Sequence, residues 1–490
     1  MFLGIDVSTT ATKALILDQE GRVRAIGKAS HTLQTPRAGW SEQDPDEWWQ
    51  ATRQAIKHAL AESACHASDI KGIGLTGQMH GLVALDAHYR VIRPAILWND
   101  GRSEAECDEI RALLGRETLV QHTGNDAFAG FTAPKLLWMR KHEPDLYNRI
   151  AHVLLPKDYI RFRLTGALAT DRAGAGGTLL LDIRSRDWSR AVLDALEIPA
   201  DWLPKTHEGT EITGRVGADA SSATGLPEGC PVVAGGGDQA AQAVGVGATI
   251  TNTFALTIGT SGVIFAPATG PTVDPRGRIH AFPHALPDLW HVMGVMLSAA
   301  GSLQWYRDTF APETSFDALM EEASGTSPGA EGITFLPYLS GERTPHANPS
   351  ARGAFAGLSL AHSRGHITRA ILEGVAFGLK DNLDLLSDAG IPRPAELRAS
   401  GGAMNSPLWR QIIADVLQVP LVTTTTTEGA ALGAAMLAGI GIGHWRDCAE
   451  ATVATVRTGK VVEPDTAMSA AYEEACIRFK ALYPALHRES

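Results

Sequence analysis

Hydrophobic positions in this chain fall into short β-like runs closed by polar or glycine turns, and into longer stretches spaced for one buried helical face. Met1–Val7, Thr12–Leu17 and Val23–Ser30 are three such runs. Turn compositions, STTA and DQEG, join them, so the chain opens as a β-meander. Asp44-Pro45-Asp46-Glu47 then predicts a helix start, with a capping carboxylate, a proline at the first position and Glu47 at the third. Trp48, Ala51 and Ile56 share its buried face to about Leu60. Strands over Ile70–Thr76 and Ala95–Trp98 run into the loops GQMHG and NDGR. Polar residues just past a strand end occupy the usual ligand position of open α/β sheets. Thr132–His142 reads as a helix with Leu136 and Trp138 inward.

The opening device recurs. Thr253–Ile264 is again an apolar strand, a small hydroxyl turn and a second apolar strand, with Gly259-Thr260-Ser261 where the start has Ser8-Thr9-Thr10. Two phosphate-sized turns about 250 residues apart predict two α/β domains of related plan facing each other, 1–250 and 251–490. The boundary falls near Thr249–Asn252. Further along, Ile367–Leu386 is a long helical pattern, Leu397–Gly402 a strand ending in a glycine pair, and Leu421–Thr427 a Thr-rich strand. Glu428–Ala438 is a helix of small residues, suited to close helix–sheet packing.

Composition narrows the function. At 490 residues the chain exceeds one ordinary core. A net charge of −11 without a basic run excludes a nucleic-acid surface, so an anionic substrate would need glycine loops and a metal. The five cysteines are widely spaced and form no CxxC, which indicates neither a disulfide framework nor a zinc site. The longest apolar tract, Gly429–Gly443, is too short to span a bilayer, and Asp6 interrupts the first apolar run. A reducing cytoplasm and no membrane partner are expected.

The candidate chemistry centres on Pro231–Gly247. Pro231–Ala234 reads as a buried strand, three glycines follow, and Asp238 opens an Ala-rich helix. Asp238 is a helix cap or a general base held ionised by the helix start; capping alone needs none of the glycines, whereas a close backbone approach does. His80 is a solvated loop histidine or a partner for a hydroxylated ligand. Trp98, before Asn99-Asp100-Gly101-Arg102, is a core residue beside a turn or a sugar platform. Gly401-Gly402 is a plain turn or a surface for a flat ligand. Together with Asp6 ahead of the first hydroxyl turn and Lys13 behind it, these residues form the inventory of phosphoryl transfer: amides for phosphates, a carboxylate for Mg²⁺, and a base for the attacking hydroxyl.

The chain also resembles a known family. Gly130–His142 (GFTAPKLLWMRKH), and Gly353–Leu358 with His366-Ile367 and Ala370–Glu373, match the two signatures of the FGGY carbohydrate kinases, over a resemblance from Phe2 to about Gly443. QMHG at 78–81, LWNDGR at 97–102, LPKDY at 155–159 and LSGERTPH at 339–346 are similar to its xylulose-phosphorylating branch. The resemblance implies a two-domain actin-like ATPase (ribonuclease H-like) fold with the active site in the interdomain cleft. It implies ATP and Mg²⁺ as cofactors and D-xylulose as substrate, and leaves a homodimer open.

For the residues, the resemblance implies Asp238 as base and Asp6 beside the Mg–ATP phosphates, both near the metal. It implies sugar contacts from Gln78, Met79, His80, Trp98, Asp100, Arg102, Asp238 and Gln239. Nucleotide contacts are implied for Thr9, Thr10, Lys13, Gly259, Thr260 and Ser261, and for Gly401, Gly402 and Asn405. Two residues depart from the pattern: Ser8 stands where the family usually has Gly, and Gln239 where Asn commonly follows the base. Other kinases of the family, acting on L-ribulose, L-fuculose, gluconate or glycerol, are the near alternatives. A non-kinase actin-like ATPase is the distant one.

Overall fold

The computed structural model describes residues 1–425 and 428–487, so Thr426 and Thr427, the end of the Thr-rich run, lie outside the described residues. Two seven-stranded sheets carry the molecule. In the first, the order is Ile212–Arg215, Pro231–Val233, Gly72–Gly77, Phe2–Val7, Ala11–Leu17, Val23–Ser30, with Gly236–Gly237 also pairing with Gly72–Gly77. The second runs His280–Pro283, Trp290–Met296, Gly262–Ala268, Thr253–Ile258, Glu396–Ser400, Leu421–Thr424, Thr458–Val462.

The two plans coincide. Phe2–Val7 pairs antiparallel with Ala11–Leu17 and parallel with Gly72–Gly77; Thr253–Ile258 does the same with Gly262–Ala268 and Glu396–Ser400. Each sheet then adds one more parallel strand and an antiparallel edge. The repeat read from the two hydroxyl turns is therefore a repeat of whole sheets, with His280–Pro283 as an addition to the second.

All six residues of Phe2–Val7 are buried, as a strand covered on both faces requires. The Pro45–Ser63 helix covers one face. It begins as its sequence predicts, the Asp44 carboxylate accepting from the Asp46 amide. The opposite face is covered by the Gly429–Gly441 helix, which comes from the second half of the chain. A Cβ on Gly4 would stand 1.9 Å from the Ala431 carbonyl oxygen, and one on Gly74 1.8 Å from that of Ala434. The same helix packs on the Asp238–Val246 helix, with Gly245 against Gly429 and Gly433 against Ala241. Close packing was the expectation for these small residues, but division along the chain and division in space differ here. The core of the second sheet is closed by Ile371, Leu372, Val375 and Leu379 of the Arg364–Asp388 helix. Among the described residues no helix is long and apolar enough to cross a membrane, and the five cysteines are unpaired.

Candidate active site

The Pro231–Val233 strand delivers Asp238 to the junction of the two sheets. Arg161, buried in the Pro156–Thr165 helix, fixes this approach by donating to the carbonyls of Val233 (2.7 Å) and Ala234. The three glycines then admit protein rather than ligand. Gly235, at φ +74°, lies against the Leu75 carbonyl, and Gly237 against the side chain of Met79. Asp238 is the first residue of its helix, after Gly237 at the cap, and its Oδ1 accepts from the Gln239 amide at 2.8 Å. Burial, reinforced by the nearby Asp6 charge, raises the Asp238 carboxyl to about 7. The expectation of a carboxylate firmly ionised at neutral pH is corrected accordingly: the desolvated site outweighs the helix start.

Asp6, at the end of Phe2–Val7, is buried and its carboxyl is also raised, chiefly by burial. Ser8 Oγ donates to its Oδ2 at 2.8 Å, while its buried Oδ1 has no partner among the described residues. Ser8, the departure in the opening turn, thus holds the Asp6 carboxylate. Thr9 is braced from three sides: its hydroxyl donates to Gln78 Oε1 (3.3 Å) and accepts from Trp98 Nε1 (3.0 Å), and its carbonyl accepts from Gln43 Nε2 (2.6 Å). Thr10 is exposed, and the Lys13 ammonium pairs with Glu428.

A cavity of about 180 Å³ lies beside Asp238, walled by both sheets. From the first come Met79, His80, Trp98, Phe131, Asp238 and Gln239; from the second, Ser261, His280, Phe282, Met293 and Arg343 among others. His80 sits at φ +69° in a three-residue turn closed by the Gly81 amide on the Met79 carbonyl, a sparsely populated conformation for a non-glycine. It is held there by Thr132 and Lys135, whose hydroxyl and ammonium donate to the His80 carbonyl at 3.0 and 2.9 Å. Trp98 keeps 40% of its surface exposed, as a platform for a ligand needs.

Three residues expected at the sugar are elsewhere. Asp100 accepts from the Ser41 amide and from the backbone and guanidinium of Arg102, and Arg102 also pairs with Glu42 under the Trp40 ring. Both are buried and consumed by each other, a consequence of opposite charges two residues apart on a tight loop. Gln78 is likewise buried, its amide donating to Gln43 Oε1 at 3.0 Å, so it shapes the Thr9 turn rather than the cavity. Sequence reasoning passed over Arg161 and Gln43. It also passed over Lys135 and Arg343, which stand inside the recognised motifs without an assigned role.

A larger cleft, about 750 Å³, opens on the second sheet between the Ala300–Phe310 and Phe316–Ser324 helices and the turn at Gly402–Asn405. Leu303, Phe316, Met320, Gly402, Asn405 and Trp409 line it, an apolar slot sized for a nucleoside. Gly401 (φ +98°) is required by the protein itself, since a Cβ would meet the Ile258 carbonyl at 2.3 Å; Gly402 faces open space. The Gly259–Ser261 turn borders both this cleft and the Asp238 cavity. Its Gly259 and Thr260 carbonyls accept the amides of Ala300 and Ala299, while Ser261 reaches the cavity.

The chain matches the models of the FGGY family of carbohydrate kinases, N-terminal domain over residues 1–245 and C-terminal domain over residues 254–442. It belongs to the FGGY carbohydrate kinases. Curated relatives include xylulose kinase of Escherichia coli (strain K12), 44% identical with 99% of each chain covered. Xylulose kinase of Bacillus subtilis (strain 168) is 38% identical over 98% of this chain and 96% of its own. Among solved structures, one described as a "xyloylose kinase" from Brucella ovis superposes with a TM-score of 0.93 at 41% identity, 99% of each chain covered. The two-sheet architecture is thus the actin-like ATPase fold of the FGGY kinases, and the Asp238 cavity lies where its two halves meet.

Proposed function

We propose that this FGGY kinase transfers the γ-phosphoryl group of ATP to the terminal hydroxyl of D-xylulose, giving D-xylulose 5-phosphate and ADP. The observation that carries the reading is the placement of Asp238, a carboxylate raised to about 7, in a small cavity walled by both sheets, with a nucleoside-sized cleft on the second sheet. The likeness to the two xylulose kinases over nearly the whole chain supports the choice of sugar.

In this reading Asp238 accepts the proton of the terminal hydroxyl as its oxygen bonds to the γ-phosphorus. Met79 and His80 hold the sugar against it, and Trp98 packs on its carbon face. The Ser8–Thr10 and Gly259–Ser261 turns hold the phosphates, and Gly402 and Asn405 meet the adenosine. Asp6 fits Mg²⁺: its buried Oδ1 lacks a partner among the described residues, and Mg²⁺ takes one or two carboxylates alongside substrate phosphates. Bound beside Asp6 and Asp238, the ion would offset charge on the β- and γ-phosphates. Approach of the two sheets would keep water from competing as nucleophile.

The test is ADP release under Mg–ATP with D-xylulose, L-ribulose, D-ribulose, glycerol and gluconate. D-xylulose is expected to give the highest kcat/KM; a clear win for glycerol or gluconate would overturn the sugar while sparing the kinase. Gly402→Val tests the cleft. Its side chain enters open space rather than protein, so KM for ATP is expected to rise about tenfold, ~1.4 kcal/mol, with KM for the sugar nearly unchanged. Unaltered ATP kinetics would return Gly402 to a plain turn.

A further inference from the structure

Beside Ser261 and Gln239, which can both donate and accept, the cavity holds two histidines that offer acceptors and one donor-only cation. His80 Nδ1 lies 2.6 Å from the Gly177 carbonyl, which can only accept; Nδ1 therefore carries the proton, and Nε2 is an acceptor. His280 repeats this arrangement. Its Nδ1 is 2.7 Å from Asn125 Oδ1, and the Asn125 amide nitrogen donates to the carbonyls of Thr123 and Ala281, which fixes Oδ1 as the acceptor. His280 Nε2 is thus also an acceptor, in a side chain only 3% exposed and without a partner among the described residues. Burial lowers the pKa of both rings, so they remain neutral at working pH.

Arg343 is the counterpart. Its guanidinium lines the same cavity and makes no hydrogen bond or ion pair among the described residues; it lies over the Phe128 ring, 5.2 Å from the centroid. The adjacent Glu342 is turned away, its Oε1 accepting from the Leu297 and Arg343 amides at 3.0 and 2.7 Å. A guanidinium left without protein acceptors inside a cavity calls for one on the ligand.

We propose that Arg343 donates to the C2 carbonyl oxygen of an open-chain ketose, while His80 and His280 accept from its hydroxyls. The proposal rests on the ketose kinase reading above. A five-carbon 2-ketose closes its ring through O5, so the hydroxyl to be phosphorylated is free only in the open chain. The C2 oxygen of that form accepts and has no proton to give. Neither histidine Nε2 can satisfy it; a guanidinium can. A pentitol carries a tetrahedral hydroxyl there instead, whose oxygen can accept but whose proton then needs an acceptor that the guanidinium does not offer. Arg343 would then separate ketoses from the alditols of the same length, a selection made by the second sheet rather than by the QMHG and WNDGR loops.

The experiment compares D-xylulose with its C2-reduced forms, xylitol and D-arabinitol, in the wild type, Arg343→Gln and Arg343→Lys. The wild type is expected to favour the ketose. Arg343→Gln, which offers both donor and acceptor, should lower the ketose-to-pentitol ratio of kcat/KM by at least about tenfold. Arg343→Lys keeps a donor-only cation and should hold that ratio within about threefold. Equal losses on ketose and pentitol in a Gln variant that binds ATP normally, or a Lys ratio as low as that of Gln, would overturn the role of Arg343 and leave the ketose reading standing. D-xylonate as best acceptor, with its advantage lost in Arg343→Gln, would assign the guanidinium to a carboxylate and overturn the carbonyl. A wild type that prefers glycerol or gluconate would remove the ketose reading and this inference together.

Discussion

Asp238→Asn is expected to lower kcat by on the order of 10²–10⁴ while D-xylulose still binds. Asn keeps the shape and can still accept the Gln239 amide, but it cannot take the proton of the attacking hydroxyl. Calorimetry of sugar binding beside steady-state kinetics separates the two effects; near-normal turnover would reduce Asp238 to the opening residue of its helix. Stability should move the other way. A folded-state pKa raised from 3.8 to about 7 means that the wild type loses stability as pH climbs through that window, because the unfolded chain ionises first. Asn has no such term. The Tm of Asp238→Asn relative to wild type is therefore expected to rise between about pH 4 and pH 7 and to level off above, the sign of a residue kept for chemistry at the expense of the fold.

Asp6→Asn should leave a different signature. Its partnerless Oδ1 is the proposed metal contact, so the Mg²⁺ concentration for half-maximal rate is expected to rise about tenfold or more, with a fall in kcat. The substitution also removes the charge that lifts Asp238. For the wild type, kcat/KM for the sugar should fall below about pH 7, where the base becomes protonated; in Asp6→Asn that acid limb should move to lower pH. It should stay above the ordinary Asp range, since burial is the larger cause. An unchanged limb with altered Mg²⁺ dependence would separate the metal role from the electrostatic one, and no change in either would remove Asp6 from the site.

What could be read from the chain alone follows the range of the interactions. The Asp44-Pro45 helix start, the opening meander and the glycine pair after Glu396–Ser400 are decided by neighbours a few residues apart, and the structure has them. Met79, His80, Trp98, Asp238 and Gln239 line one cavity because each follows a strand end, which pattern alone can locate. Gln78, Asp100 and Arg102 occupy similar loops, yet their polar groups are taken by Gln43, Ser41 and Glu42, choices that loop composition does not encode. His280, Phe282, Met293 and Arg343 reach the cavity only because a second sheet closes over the first. Every sugar contact implied by the resemblance lies within residues 1–250, because contacts across some 200 residues of chain leave no local trace.

The Gly429–Gly441 helix carries a consequence for synthesis. The face of Phe2–Val7 and Gly72–Gly77 that it covers is synthesised some 350 residues or more before the helix that covers it. Throughout that interval this face of the nascent first sheet lacks its native cover, the kind of apolar surface that makes folding intermediates prone to aggregate. Completion of its core therefore waits on the Gly429–Gly441 helix, and its speed on the return of a segment more than 400 residues from Phe2–Val7.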